Sequence, residues 1–254
     1  MTMPPDPYYR ADLALVHHRG FAAHASECAP GILALLDPVL ARHGTVLELG
    51  CGSGLLTRHL IDAGHRVIAT DASPAMLELA DHYLGGSADL RVLSLPDDPL
   101  PDADAVVSVG HAVSYLPDAG AIDRAVSAMG SALLPGGVLA VDVCDLEWGA
   151  ARRHQPNLGR TGPDWAIVTE FSLPSADRYV RDMTTFVRGD DGTWRRDTEH
   201  HENTLIDVSG LVGVLAAVGV SAEVRDAFGS ETLPVGLRVV VGSRAPDAKH
   251  APPG

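Results

Sequence analysis

From Val46 to Gly54 the chain reads Val-Leu-Glu-Leu-Gly-Cys-Gly-Ser-Gly, a short apolar run that passes directly into three alternating glycines. A strand ending on Gly50, Gly52 and Gly54 can turn sharply and let a ligand lie against bare backbone, because no Cβ intervenes. A helix that starts immediately afterwards offers unpaired amides and a partial positive charge, which suit a carboxylate. Asp71 follows Gly54 by 17 residues, at the end of the next apolar run. There a carboxylate at the rim of a parallel sheet can accept hydrogen bonds from both hydroxyls of a ribose.

The surrounding rhythm is that of βαβ units. Strands are predicted at Val46–Leu49, Arg66–Thr70, Leu90–Leu93, Asp104–Val109 and Val138–Val143, the last after the turn Pro135-Gly136-Gly137. Helices are predicted at Leu55–Ala63 and at Ser73–Tyr83, where Ser73 is the N-cap and Pro74 sits in the first turn. Upstream, Tyr8 to Leu40 carries helical spacing through Leu13, Leu15, Val16, Ile32, Leu33, Leu35 and Leu36. Beyond Asp145 the rhythm breaks. Ala151–Asp164 reads as a polar loop, and Trp165–Leu173, Tyr179–Arg188 and Trp194–Ile206 alternate as strands. Gly189-Asp190-Asp191-Gly192 joins the last two as a hairpin. A helical pattern at Ser209–Ala217 and strands at Ala222–Phe228 and Leu237–Gly242 follow. The predicted fold is α/β: a Rossmann-like, doubly wound, mostly parallel seven-stranded sheet with an antiparallel β insertion after strand 5. Residues 45–145 and 207–244 form the sheet domain, 146–206 the insertion over the substrate site, 1–44 a helical lid and first helix, and 245–254 a flexible tail.

Two details separate the glycine loop from a dinucleotide site. That fingerprint is G-x-G-x-x-G, whereas this chain has G-x-G-x-G followed by Leu55. Glu48 has no task beside a pyrophosphate but has one beside an ammonium. Glu48–Gly54 resembles the first motif of the class I S-adenosylmethionine-dependent methyltransferases. Asp71 is similar to their acidic second motif, and Leu133-Leu134-Pro135-Gly136-Gly137 to the turn before their fifth strand. The likeness runs from about Thr45 to Val143 and includes the two terminal strands. It implies S-adenosyl-L-methionine as cofactor, with Glu48, Gly50, Cys51, Gly52 and Gly54 around the methionine part and Asp71 on the ribose. Ala72, Met76 and Gly110 complete the expected contacts, with Cys51 a small loop filler and not a nucleophile. The family sets an acidic residue after the third strand against the adenine. Leu93-Ser94-Leu95-Pro96-Asp97-Asp98 has no clean equivalent, so Ser94, Leu95 or a displaced Asp97 is expected there.

The resemblance also places the end of the fourth strand, Gly110-His111-Ala112-Val113-Ser114-Tyr115, beside the transferable methyl. His111 is expected to orient the acceptor or take its proton, since imidazole titrates near neutrality. Asp142 and Asp145 end the fifth strand at the same rim and, with Tyr115, are candidate acceptor contacts. The insertion resembles the strands that cover the active site in glycine and sugar-amine N-methyltransferases. Alternation puts Arg195, Asp197, Glu199, His201, Asn203 and Leu205 on one face of its last strand, with His200 and Glu202 on the other. We expect the first face inward, with His201 as a second catalytic candidate and Asn203 as a substrate contact. Tyr9 is the expected lid contact, from a segment that also carries Tyr8, His17 and His18.

Charge narrows the partners. The formal net charge is −14, and Lys249 is the only lysine. An acidic surface repels phosphate backbones, so neither nucleic acid nor an anionic membrane is expected as a partner. Three separated cysteines make neither a disulfide framework nor a zinc motif. The adjacent pairs His17–His18 and His200–His201 lack the spacing that puts two ligands on one metal, so no metal is expected. Met1–Asp6 lacks the character of a signal peptide, and no run is long enough to span a membrane, so a cytoplasmic protein is expected. The reading is a methyltransferase acting on N or O of a small molecule, such as one of secondary metabolism, as a monomer or homodimer. The alternatives are a protein that binds S-adenosylmethionine without transferring methyl and, more remotely, a nicotinamide oxidoreductase.

Overall fold

The computed structural model describes residues 8–247. The expectations for residues 1–7 and for the end of the tail, 248–254, lie outside the described residues. Two helices, α1 (Ala11–Gly20) and α2 (Ala23–Ala41), precede the first strand, β1 (Thr45–Leu49). Then come α3 (Leu55–Asp62), β2 (Arg66–Asp71), α4 (Pro74–Leu84), β3 (Asp89–Val92), β4 (Ala103–Ser108), α5 (Ala119–Ala132) and β5 (Leu133–Cys144). The insertion holds α6 (Leu146–Arg152), β6 (Leu158–Thr161), β7 (Trp165–Ser175), β8 (Arg178–Arg188) and β9 (Trp194–Thr204). The chain returns through α7 (Leu211–Ala217), β10 (Val220–Arg225) and β11 (Leu237–Arg244).

The first sheet has seven strands in the order β10-β11-β5-β4-β1-β2-β3, parallel except where β11 pairs antiparallel to β5 and to β10. Its central strands are buried on both faces, as a parallel sheet under crossover helices must be. Alternate residues divide between two cores. Leu47, Val106, Leu139 and Val141 pack with Ile122, Met129 and Leu215 of α5 and α7. Val46, Ala105, Val107 and Ala140 pack with Ile32, Leu36 and Leu60 of α2 and α3. Truncating one such leucine to alanine costs about 2–5 kcal/mol. α4 starts where the sequence marks it: Ser73 Oγ accepts from the Met76 amide at 3.2 Å, and Pro74 occupies the first turn.

The second sheet, β6-β7-β8-β9, is antiparallel throughout. Leu13 and Val16 of α1 pack on Trp165, Ile167, Met183 and Val187 of its inner face. The helical stretch expected from Tyr8 to Leu40 divides into two helices. α1 covers the second sheet and α2 the first, and one straight helix cannot serve both surfaces. The expected polar loop 151–164 contains the end of α6 and all of β6. Every residue of β6 is exposed, so it has no apolar alternation, and pairing to β7 alone defines it. Phe228, expected at the end of a strand, leaves β10 and packs beside Cys28 and Ile32 of α2.

Candidate active site

The glycine loop at the end of β1 turns through Gly50, Gly52 and Gly54, all at positive φ. A Cβ at Gly50 would strike Ala112 and one at Gly54 would press on Leu84, so these two are closed by packing. Gly52, at φ +54°, would meet nothing nearer than Met76 Sδ at 3.9 Å, and Gly110, at φ +90°, would meet nothing within 4 Å. The open space against bare backbone thus lies between the loop and the end of β4. Cys51 is buried, its amide donating to the Thr70 carbonyl at 2.8 Å.

Asp71 stands at the tip of β2. Its Oδ2 accepts from the Gly52 amide at 2.9 Å and its Oδ1 from the Ser73 amide at 2.8 Å. Burial raises its pKa, opposed by the amide bonds from Ser73 and Gly52. Each oxygen keeps a second lone pair for a ligand hydroxyl. Ala72 beside it is exposed, and Met76 is buried beneath the loop. Glu48, expected at an ammonium, is 2% exposed and accepts from Thr57 Oγ1 of α3 at 2.7 Å. Burial pushes its pKa up to about 8, against the Thr57 hydrogen bond that lowers it. Its observed task is to tie β1 to α3 beneath the loop. At the expected adenine side, Ser94 is exposed and its amide donates to Asp98 at 2.7 Å, while Leu95 packs on the core. Asp98, not Asp97, closes that turn.

The β4–β5 rim is organised by Asp142, which is fully buried. Its carboxylate accepts from the amides of Gly110 at 2.9 Å and His111 at 2.6 Å, and lies 3.1 Å from His24 Nε2 of α2. The expectation that Asp142 touches an acceptor gives way to a role in holding the turn. Asp145 caps α6 through the Glu147 amide and accepts from the Val208 amide at 3.1 Å. His111 takes the left-handed conformation at φ 51°. Its ring stacks on Tyr115 at 5.8 Å and approaches Trp148 at 5.5 Å. Burial, reinforced by the Arg181 charge, lowers its pKa to about 3, so the imidazole is neutral at physiological pH.

The N-terminal segment closes over this rim. Tyr9 and Arg10 donate their amides to the two carboxylate oxygens of Glu199, both at 2.8 Å, and Ser73 Oγ donates to the Tyr9 carbonyl at 2.7 Å. His18 Nδ1 lies 2.9 Å from Ser53 Oγ of the glycine loop. The lid is thus fastened to both sheets. Tyr9 and Tyr115 hydroxyls are 2.9 Å apart. Tyr8, Tyr9 and Tyr115 surround the His201 ring with centroids at 4.5, 4.9 and 5.6 Å. His201 is fully buried, and Nε2 donates to Glu199 at 2.9 Å. Burial lowers its pKa, with Glu199 opposing. Its Nδ1 is buried and has no hydrogen-bond partner among the described residues.

Gly52, Asp71, Gly110, His111, Tyr9, Tyr115, His201 and Asn203 therefore gather along the carboxyl edge of the first sheet and the inner face of the second. Of the last strand's expected inward face, Glu199, His201 and Asn203 are buried, whereas Arg195 is exposed; His200 and Glu202 are exposed. Sequence reading missed His24, Glu199 as lid anchor, Trp148 and Arg181. Arg181 alone had a signal. It interrupts the alternation Tyr179, Met183, Thr185 and Val187 with a charge on the inward face.

Comparison with known proteins covers the same regions. A family described as "Methyltransferase domain" matches residues 46–137. The chain is 36% identical over 104 residues to the methyltransferase YrrT of Bacillus subtilis, covering 39% of this chain and 48% of that protein. The chain thus spans about half the length of this relative. It is 35% identical over 193 residues to a ubiquinone biosynthesis O-methyltransferase of Xanthomonas campestris, covering 70% of this chain and 71% of that one. Among solved structures, the sugar N-methyltransferase KedS8 of Streptoalloteichus superposes with a TM-score of 0.76 at 21% identity, covering 96% of this chain and 99% of that one. The S-adenosylmethionine-bound amino pentose methyltransferase CalS10 of Micromonospora echinaspora superposes at 0.67, also at 21% identity, covering 96% and 100%.

Proposed function

Because the chain belongs to the class I S-adenosylmethionine-dependent methyltransferases, we propose that it methylates an amine nitrogen of a small molecule. The cofactor site fits: Gly52 and Gly110 leave bare backbone facing open space, and Asp71 keeps free lone pairs at its edge. Bound there, S-adenosyl-L-methionine supplies an activated methyl on a positively charged sulfur. The protein's share is alignment and exclusion of water. Tyr9 and α1 cover the site from the lid. The glycine loop and the α3 N-terminus receive the methionine part, and Asp71 receives the ribose.

The observation that carries the acceptor assignment is the His201–Glu199 pair. With Nε2–H directed to Glu199, neutral His201 presents the Nδ1 lone pair to the aromatic enclosure. That atom accepts an N–H of the acceptor, turns the nitrogen lone pair toward the methyl, and takes up the proton that an alkylated amine sheds. His111 is held neutral, its pKa lowered to about 3 by burial and the Arg181 charge. It shapes the acceptor wall with Tyr115 and Trp148.

The test incubates the protein and S-adenosylmethionine with matched small amines and alcohols, with mass spectrometry of S-adenosylhomocysteine and methylated product. Methylation of amines is expected; preferential methylation of the alcohols overturns the nitrogen assignment.

A further inference from the structure

The inner face of the second sheet holds a charge that methyl transfer as described leaves without a task. Arg181 of β8 stands opposite His201 of β9 and shares its strand face with the buried Tyr179 and Met183. One guanidinium nitrogen donates to the Tyr115 hydroxyl, and the group lies 5.5 Å from the centre of that ring. Among the described residues no carboxylate pairs with it. The two buried acids of the region are committed elsewhere. Glu199 is taken by the Tyr9 and Arg10 amides and His201, and Asp142 by Gly110, His111 and His24.

The neighbouring donors are unsatisfied too. Arg181 Nε, Asn203 Nδ2 and Trp148 Nε1 are buried with no acceptor among the described residues. Asn203 opposes Tyr179 in the β8–β9 register, Arg181 lies two residues further along the same strand face, and the Trp148 ring meets Tyr179 edge-on at 6.2 Å. Removing the Arg181 Nε–H and two further N–H donors from water without acceptors is unfavourable. A wall of donors with a fixed positive charge suits oxygens that carry negative charge, and the planar fork of arginine matches carboxylate and phosphate.

We propose that Arg181, with Asn203 and Trp148, forms a subsite for an anionic group, carboxylate or phosphate, on the methyl acceptor. The proposal rests on the acceptor reading of His201. Because positions 181 and 201 are cross-strand partners, one small molecule can give its N–H to His201 and its anion to Arg181. The substrate class is an amine with an acidic group close to the nitrogen.

The experiment titrates the protein loaded with S-adenosylhomocysteine with sodium acetate and, separately, inorganic phosphate, against chloride at matched ionic strength. Saturable binding by calorimetry is expected for one of them: acetate identifies a carboxylate subsite, phosphate a phosphate subsite. Arg181→Met should weaken that binding about tenfold or more, and Arg181→Lys, which keeps the charge but loses the fork, by less. If Arg181→Met does not fold, Arg181→Lys decides. Absence of saturation by either anion, or unchanged affinity in the folded variants, overturns the subsite. S-adenosylhomocysteine binding is measured first. Its failure in the wild type overturns the cofactor reading and this one with it, whereas intact cofactor binding without anion binding overturns the subsite alone.

Discussion

His24 Nε2, on the first turn of α2, lies 3.1 Å from the fully buried Asp142 carboxylate at the end of β5. The same carboxylate holds the amides of Gly110 and His111, so one ion pair links the helix, the sheet and the turn at the end of β4. Burial alone would lower the His24 pKa, but hydrogen bonds to Asp142 and Cys28 outweigh it and raise the pKa to about 10. A folded pKa above the unfolded value of 6.5 stabilises fully below about pH 6.5, and the gain is lost as pH rises through about 10. Near neutrality His24→Gln should be less stable than wild type by about 1–3 kcal/mol, and the gap should close toward pH 10. Thermal melts that stay parallel across that range would show that the pair is not ionised.

Asp71→Ala should weaken S-adenosylhomocysteine binding by at least about tenfold, since each hydrogen bond to a charged acceptor is worth about 1.5–3 kcal/mol. The variant also frees the Gly52 and Ser73 amides, so stability is measured beside affinity. Calorimetry on folded protein decides, and unchanged affinity removes Asp71 from the ribose.

Gly52→Val should abolish cofactor binding. Its φ of +54° disfavours a β-branched residue, and the added side chain would fill space now bounded only by Met76 Sδ at 3.9 Å. Strain adds about 1–2 kcal/mol. Normal binding by the variant would mean that the cofactor does not lie on this loop.

Glu199→Gln should loosen the lid. The carboxylate receives the Tyr9 and Arg10 amides, and hydrogen bonds to a charged acceptor are worth about 1.5–3 kcal/mol each. Hydrogen exchange at those amides should quicken by about tenfold or more, and S-adenosylhomocysteine should dissociate faster. Unaltered exchange would mean that the Glu199 carboxylate does not hold the lid.

His111 and His201 should separate kinetically. His111→Gln should raise KM for the acceptor and lower kcat by about tenfold or less, as expected for a wall residue. No limb belonging to His111 should appear near neutrality, because its pKa lies near 3. His201→Gln should lower kcat by about 10²-fold or more with cofactor affinity nearly unchanged. Equal and small effects of both would remove His201 from proton uptake.

The glycine loop, Asp71 and the alternation of strands and helices were legible in the sequence because each rests on local physics. Glycine is placed by φ, a cap by the next turn, and a strand by its period. The errors came where locality fails. β6 has no pattern of its own and exists through β7, and the break between α1 and α2 is set by the two sheets they cover.

At the site the same division holds. The sequence by itself determined which residues stand at the carboxyl edge of the sheet, and by alternation which face of β9 carries Glu199, His201 and Asn203. Only the tertiary structure decided what those groups do. It buried Asp142 and gave it to His24 and two amides, tied Glu48 to Thr57, and drove the His111 imidazole to neutrality. It also set Arg181 beside His201 with no carboxylate paired to it among the described residues. The reason is physical: a carboxylate, imidazole or guanidinium takes its protonation and partners from burial and from groups distant in sequence, and those exist only once both sheets are packed.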